Sequence, residues 1–171
     1  PTHVNRLRRL FDEACELVSE GCHIDLTAFP VEPALEDDES GDPGYSVLDA
    51  ATRYLEQGLP LNMLTVSSDG GGCLPEFDQQ GVLQKLDFAR CQSLPTALGE
   101  LLTAGVAPEQ AIGFFTKNAA ELYRLQGKGV IAVGADADLV TMDEQYQVAD
   151  VMCRGVWHKK SGQQIKKGLF E

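Results

Sequence analysis

The sequence predicts an α/β fold: parallel βα units first, then a smaller antiparallel β unit. Two observations carry this. Up to about residue 125, runs of strand pattern alternate with runs of helical periodicity, joined by short links typical of parallel units. Beyond Gly127 the helical spacing stops, and short alternating runs broken by Gly129, Gly134, Gly155, Gly162 and Gly168 take over. A chain of 171 residues with 43% apolar content can bury a sizeable core and suits one domain or one and a half.

Taken in order, Thr2 to Asn5 reads as the tip of a strand, followed by an amphipathic helix carrying Leu7, Leu10, Phe11, Ala14, Leu17 and Val18 and stopped by Gly21. Cys22 to Phe29 has the pattern of a second strand, after which Pro30 and Pro33 open a loop. Tyr45 to Gln57 places Val47, Leu48, Ala51, Tyr54 and Leu55 on one helical face, with Gly58 as its stop. Leu61 to Ser67 is the third strand, and it runs into Asp69 and three glycines. In a barrel of parallel strands the chemistry sits at the strands' C-terminal ends, so a carboxylate there is well placed to act; the plain alternative is an Asp-Gly turn. Gly70 to about Gln92 is longer than a usual βα link and is expected to be a loop that covers substrate. Ser93 is expected to cap one helix and Pro108 to open another, carrying Ala111, Ile112, Phe115, Ala119 and Leu122. The pair of runs around Met152 and Trp157 reads as a hairpin.

A net charge of −12 argues against nucleic acid or an anionic membrane as partner. Much of that charge lies in Glu32, Glu36, Asp37, Asp38, Glu39 and Asp42, a run expected to be a solvated loop. Lys159, Lys160, Lys166 and Lys167 make the end of the chain basic, as on an edge strand protected from aggregation. Cys15, Cys22, Cys73, Cys91 and Cys153 are odd in number and contain no C-x-x-C pair, which fits a reducing cytoplasm and neither a disulfide framework nor a zinc knuckle. No apolar run reaches membrane-spanning length. The opening PTHVNR lacks an initiator Met, so an N-terminal portion is expected to precede it.

Four stretches carry a family resemblance: PTHVNR at Pro1 to Arg6, LTVSSDGGG at Leu64 to Gly72, PEFDQQGVLQKLDFA at Pro75 to Ala89, and FFTKNAAELYRLQGKGVIAVGADADLVTMD at Phe114 to Asp143. Together they resemble the C-terminal part of isoaspartyl dipeptidases, members of the amidohydrolase superfamily of metal-dependent (β/α)8 barrels. The resemblance implies that residues 1–125 are the later part of such a barrel, with its sixth strand ending at His3, its seventh at Cys22 to Leu26 and its eighth ending at Asp69. Residues 126–171 are then a small β-sandwich segment. A whole barrel takes about 250 residues, so three strands cannot close one. Their inner faces are expected to expose apolar surface, which predicts a homo-oligomer or association with the missing N-terminal portion.

The implied chemistry is zinc-dependent hydrolysis of β-aspartyl dipeptides. By resemblance, Asp69 binds one metal and moves the proton between the attacking water and the departing amine. His3 matches a ligand to the other metal, and Arg6 matches the arginine that grips a substrate carboxylate by a forked pair of hydrogen bonds. Cys73 stands where the family commonly has a serine whose hydroxyl reaches the substrate, and a thiol is a weaker hydrogen-bond partner. Without the family pattern, His3 reads as a surface or hydrogen-bonded histidine and Arg6 as a helix-start salt-bridge residue. His23 reads as a satisfied core or barrel-end histidine, His158 as exposed, and Asp136 and Asp138 as residues that shape a turn and a strand entry. The sequence has no H-x-H pair and no lysine placed to bridge two metals, so this chain alone is expected to be inactive. Two other readings stand beside this one: another amidohydrolase, acting on a cyclic amide in the manner of dihydroorotase or hydantoinase, and a non-catalytic fragment.

Overall fold

The computed structural model describes residues 1–29 and 44–167. The chain divides into two compact units, Pro1–Ala97 and Leu98–Glu171. The acidic run from Glu32 to Asp42 lies outside the described residues.

In the first unit, β1 (Ile24–Thr27) and β2 (Leu64–Ser67) pair in parallel, Ile24 opposite Leu64 and Thr27 opposite Ser67. Each is preceded or followed by a helix, as the alternation predicts. Helix α1 (Arg8–Ser19) buries Phe11, Ala14, Cys15 and Val18, the i, i+3, i+4, i+7 stripe of an amphipathic helix. It ends in a paired cap: Gly21, at φ 88°, donates to Val18 O at 2.9 Å, and Cys22 donates to Leu17 O at 3.0 Å. Helix α2 (Val47–Glu56) starts at Ser46, whose hydroxyl accepts the Asp49 N–H at 3.0 Å and donates to the Asp49 carboxylate at 2.7 Å. Its stripe of Val47, Ala50, Ala51 and Tyr54 is buried, and the Tyr54 hydroxyl donates to Pro60 O at 2.7 Å. Burial pushes the Tyr54 phenol above its usual range and the Cys15 thiol up to about 11, as expected of core groups with no task that needs ionisation.

The two faces of the strand pair differ in kind. Ile24, Leu26, Leu64 and Val66, on one face by alternation, are buried, and α1 and α2 both approach β1. The alternate positions, Asp25, Thr27, Thr65 and Ser67, are polar. The expected apolar inner face is therefore not present on β1 and β2: this face is built from one carboxylate and three hydroxyls, each hydrogen-bonded within the chain.

Three further expectations change. Thr2 to Asn5 forms no strand; Val4–Arg6 is a 3-10 turn entered through His3 at φ 58°, and Pro1 O, which accepts the Asp25 N–H at 3.0 Å, carries the backbone link to β1. A left-handed residue breaks the extended run. Residues 70–92 are not an irregular loop but an antiparallel hairpin of β3 (Cys73–Phe77) and β4 (Leu83–Phe88). The helix expected from Pro108 to Leu122 is two, α4 (Pro108–Phe115) and α5 (Lys117–Leu122), broken at Thr116, whose hydroxyl bonds back to Ile112 O at 2.8 Å. Helix α3 (Ser93–Thr103) precedes them, but Ser93 is its first residue rather than its cap, and the buried Ser93 Oγ has no hydrogen-bond partner among the described residues.

After Gly127 the described residues form one antiparallel sheet in the order β5 (Leu139–Met142), β6 (Val148–Cys153), β7 (Val156–Lys160) and β8 (Gln163–Gln164). Met152 does pair with Trp157. The two-residue turns Arg154-Gly155 and Ser161-Gly162 have positive φ throughout, the geometry that matches strand twist. No described helix is long and apolar enough to cross a membrane.

Candidate active site

The C-terminal ends of β1 and β2 position the residues singled out above. Thr27 closes β1, and its hydroxyl meets His3 Nδ1 at 2.8 Å. The imidazole is thereby fixed through one nitrogen, and Nε2 makes no hydrogen bond among the described residues. Asn5, fully buried, holds the segment in place: its Oδ1 accepts the Thr27 N–H at 2.8 Å, and its Nδ2 donates to Thr27 O at 3.1 Å and to Tyr45 O at 2.9 Å. One side chain therefore joins the His3 turn, the end of β1 and the entry to α2. The Tyr45 ring is itself pinned, edge-on to Phe11 with centroids 5.5 Å apart and under the guanidinium of Arg53 at 4.6 Å.

Asp69 follows β2 by two residues and is left-handed, at φ 51°. Its backbone oxygen accepts the Gly72 N–H at 2.7 Å, and its half-buried carboxylate lies so close to Gly72 that a Cβ there would sit 2.5 Å from Oδ2. Glycine at position 72 thus makes room for the carboxylate of this same chain. No donor among the described residues occupies that carboxylate. The glycine run also starts the hairpin, with Gly71 N–H donating to Ala89 O at 3.0 Å and Ala89 N–H to Gly72 O at 2.9 Å.

Because Thr27 and Ser67 are register partners, His3 and Asp69 extend from the same end of the strand pair. Arg6 ends the His3 turn; it is exposed, and its guanidinium has no partner among the described residues. Cys73 is exposed at the start of β3, opposite Phe88. Three or more His, Cys, Asp or Glu side chains gathered as for a metal ion do not occur among the described residues.

Two features escaped the sequence reading. Asp25 accepts the hydroxyls of Thr2 at 2.8 Å, Thr65 at 2.7 Å and Ser67 at 2.6 Å. The alternation I-D-L-T against L-T-V-S, which puts every polar side chain on one face, was the available signal. His23 is not the satisfied histidine expected: its Nε2 is buried without a partner, and burial holds the imidazole below its usual pKa although Asp25 pulls the other way. His158 is half-buried rather than exposed. The structural reading of Asp136 and Asp138 agrees with their contacts: Lys128 bridges both, 2.7 Å from Asp136, and Asp138 also accepts the Arg154 N–H at 2.7 Å.

Residues 1–158 match the amidohydrolase family. Among solved structures, the chain is similar to a β-aspartyl dipeptidase from the thermophilic keratin-degrading Fervidobacterium islandicum AW-1, in complex with β-Asp-Leu dipeptide, at 32% identity and a TM-score of 0.80. That match covers 99% of this chain and 42% of the other. A second structure of β-aspartyl dipeptidase from that organism matches at 29% identity and a TM-score of 0.76, over 99% of this chain and 40% of the other. An amidohydrolase from Thermotoga maritima MSB8 shares the fold at 16% identity and a TM-score of 0.58, covering 93% of this chain and 36% of that one. The chain thus spans well under half the length of these structures, and it belongs to the amidohydrolase family.

Proposed function

We propose that this chain is the C-terminal part of a metal-dependent hydrolase of β-aspartyl dipeptides, with residues 1–125 belonging to its barrel and 126–171 to a small β unit. The observation that carries the reading is the likeness, over 99% of the chain, to a β-aspartyl dipeptidase that holds β-Asp-Leu. The local geometry supports it. Asp69 offers a carboxylate with no donor among the described residues, at the same end of the strand pair as a histidine whose Nδ1 is tied to Thr27.

His3 Nε2 and Asp69 are one nitrogen and one oxygen donor, both of types that zinc takes, but two donors do not complete a site that needs three or four. The remaining ligands belong to the N-terminal portion in this proposal. When bound, zinc supplies a Lewis acid and a nucleophilic water at neutral pH. Asp69 takes the proton of the attacking water and returns it to the departing amine nitrogen, breaking the amide bond. Arg6 grips a substrate carboxylate by two parallel hydrogen bonds, and Cys73 borders the substrate. A cytoplasmic enzyme fits five cysteines that are all unpaired.

The test is hydrolysis of β-Asp-Leu, α-Asp-Leu, dihydroorotate and hydantoin by the protein expressed from its whole reading frame, with and without a zinc chelator. Turnover of β-Asp-Leu alone, abolished by the chelator, is expected. Arg6→Ala is expected to raise KM for β-Asp-Leu about 10- to 100-fold, the worth of hydrogen bonds to a charged group. Preference for a cyclic amide, with Arg6→Ala silent, would reassign the substrate.

A further inference from the structure

The carboxylate of Asp25 lies on β1, between the arms that carry the two proposed metal ligands, and nothing above gives it a role. A carboxylate among strands is costly unless its oxygens are satisfied, and a parallel pair normally presents aliphatic side chains on both faces. Here three hydroxyls converge on it. Oδ2 accepts from Thr2 at 2.8 Å and from Ser67 at 2.6 Å; Oδ1 accepts from Thr65 at 2.7 Å. Bonds of this length from a hydroxyl to an ionised carboxylate are charge-assisted and stronger than neutral ones. Its own backbone N–H donates to Pro1 O at 3.0 Å, so the first two residues are held at two points.

The three donors differ in what they precede. Thr2 is adjacent to His3, and Ser67 stands two residues before Asp69. Both bind the same oxygen. Thr65 lies deeper in β2, opposite Asp25 itself, and joins strand to strand. We propose that Asp25 is a positioning residue: through Oδ2 it couples the segment bearing His3 to the segment bearing Asp69, setting their separation without touching substrate. This rests on the functional reading above only for its consequence in turnover. A neutral or apolar side chain at position 25 would leave each arm anchored separately, His3 through Thr27 and Asn5, Asp69 through Gly72.

The inequality of the three hydroxyls supplies the test. Thr2→Val, Ser67→Ala and Thr65→Val each remove one bond to Asp25, and they are compared in the protein expressed from its whole reading frame. Thr2→Val and Ser67→Ala are expected to lower kcat on β-Asp-Leu about tenfold with KM within about twofold, because small misplacements of reacting groups cost rate. Thr65→Val is expected to leave kcat within about twofold. Amide hydrogen exchange gives a second readout that needs no turnover: Asp25→Asn should speed exchange at Val4–Arg6 and at Gly70–Gly72 by about tenfold or more while α1 amides keep their protection. Equal kcat losses in all three hydroxyl variants, or exchange that rises across α1 as well, would reduce Asp25 to a general stabiliser and overturn the proposal. If the unmodified protein turns over no β-aspartyl dipeptide, the substrate reading fails, and the exchange pattern decides the role of Asp25 by itself.

Discussion

Asp69 and Asp138 are both aspartates beside a glycine-rich stretch, and composition alone nominates either for metal or acid–base work. Their surroundings separate them. Asp138 is consumed by its own chain: Lys128 pairs with one oxygen and the Arg154 N–H donates to the other at 2.7 Å, where it helps fix the turn between β6 and β7. The Asp69 carboxylate receives no donor among the described residues, although its position is as tightly defined, by a left-handed backbone and by contact with Gly72. What marks a candidate catalytic carboxylate is a fixed position with its lone pairs left open, whereas a structural one spends them internally.

That contrast predicts opposite phenotypes for the same substitution. Asp69→Asn is expected to lower kcat on β-Asp-Leu by roughly a thousandfold, within the 10²–10⁴ range of general acid–base contributions, while shifting stability by less than about 0.5 kcal/mol. Asp138→Asn should do the reverse, with kcat unchanged and a lowered melting temperature. Steady-state kinetics beside thermal melts check both. A variant at position 138 that loses turnover while melting normally would break the distinction.

The glycine beside Asp69 sharpens it. Position 72 is not left-handed, but a Cβ there would lie 2.5 Å from Asp69 Oδ2, 2.7 Å from Cγ and 2.9 Å from the Asp69 backbone oxygen. Gly72→Ala must therefore push the carboxylate aside. A loss of about 10- to 100-fold in kcat is expected with the hairpin intact, judged by an unchanged circular dichroism spectrum. Gly71, at φ 88°, is a different case, since any side chain there strains the backbone and the hairpin itself.

The elements that the sequence made legible are those whose periodicity and caps agree. Helix α1 carries an apolar stripe and ends at the glycine that its paired cap requires; β6 and β7 alternate and are joined at a residue pair that accepts positive φ. Legibility failed where one local interaction overrode the pattern. His3 turns left-handed and ends an extended run; Thr116 leaves the helical region, at φ −131° and ψ −82°, and splits a helix whose apolar spacing continues. The hairpin of β3 and β4 was hidden because Phe77, Val82, Leu83, Leu86 and Phe88 are all exposed, so no buried face imposed a readable alternation. At the candidate site, residue types named Asp69, His3 and Arg6 through a family pattern, but Asn5 and Asp25 act through partners 20 and more residues away, which no local spacing encodes.

The smallest effect expected is a pH dependence confined to the Asp138 cluster. Hydrogen bonding to Lys128, and then to the Arg154 N–H, holds the Asp138 carboxyl below its ordinary 3.8, while Asp136 and Asp138 hold the Lys128 ammonium above 10.5. A carboxyl depressed in the folded state adds stability that is present above its unfolded pKa and lost as pH falls through the folded value. A raised ammonium adds stability present below its unfolded pKa and lost as pH rises through the folded one. The cluster is therefore worth most between about pH 4 and pH 10, and the groups' exposure to solvent keeps that worth small. Trp157, the single tryptophan, lies on β7 and reports on this sheet. Melts followed by its fluorescence should show the transition falling as the pH drops below about 4, with Asp138→Asn flattening part of that slope. Part of it should remain, because Asp150 is also held below its ordinary range, by the Ser161 N–H and the Thr141 hydroxyl. Identical slopes in the two proteins would mean that Lys128 compensates through Asp136 alone, and the carboxylate at position 138 would then matter for the β6–β7 turn and not for charge.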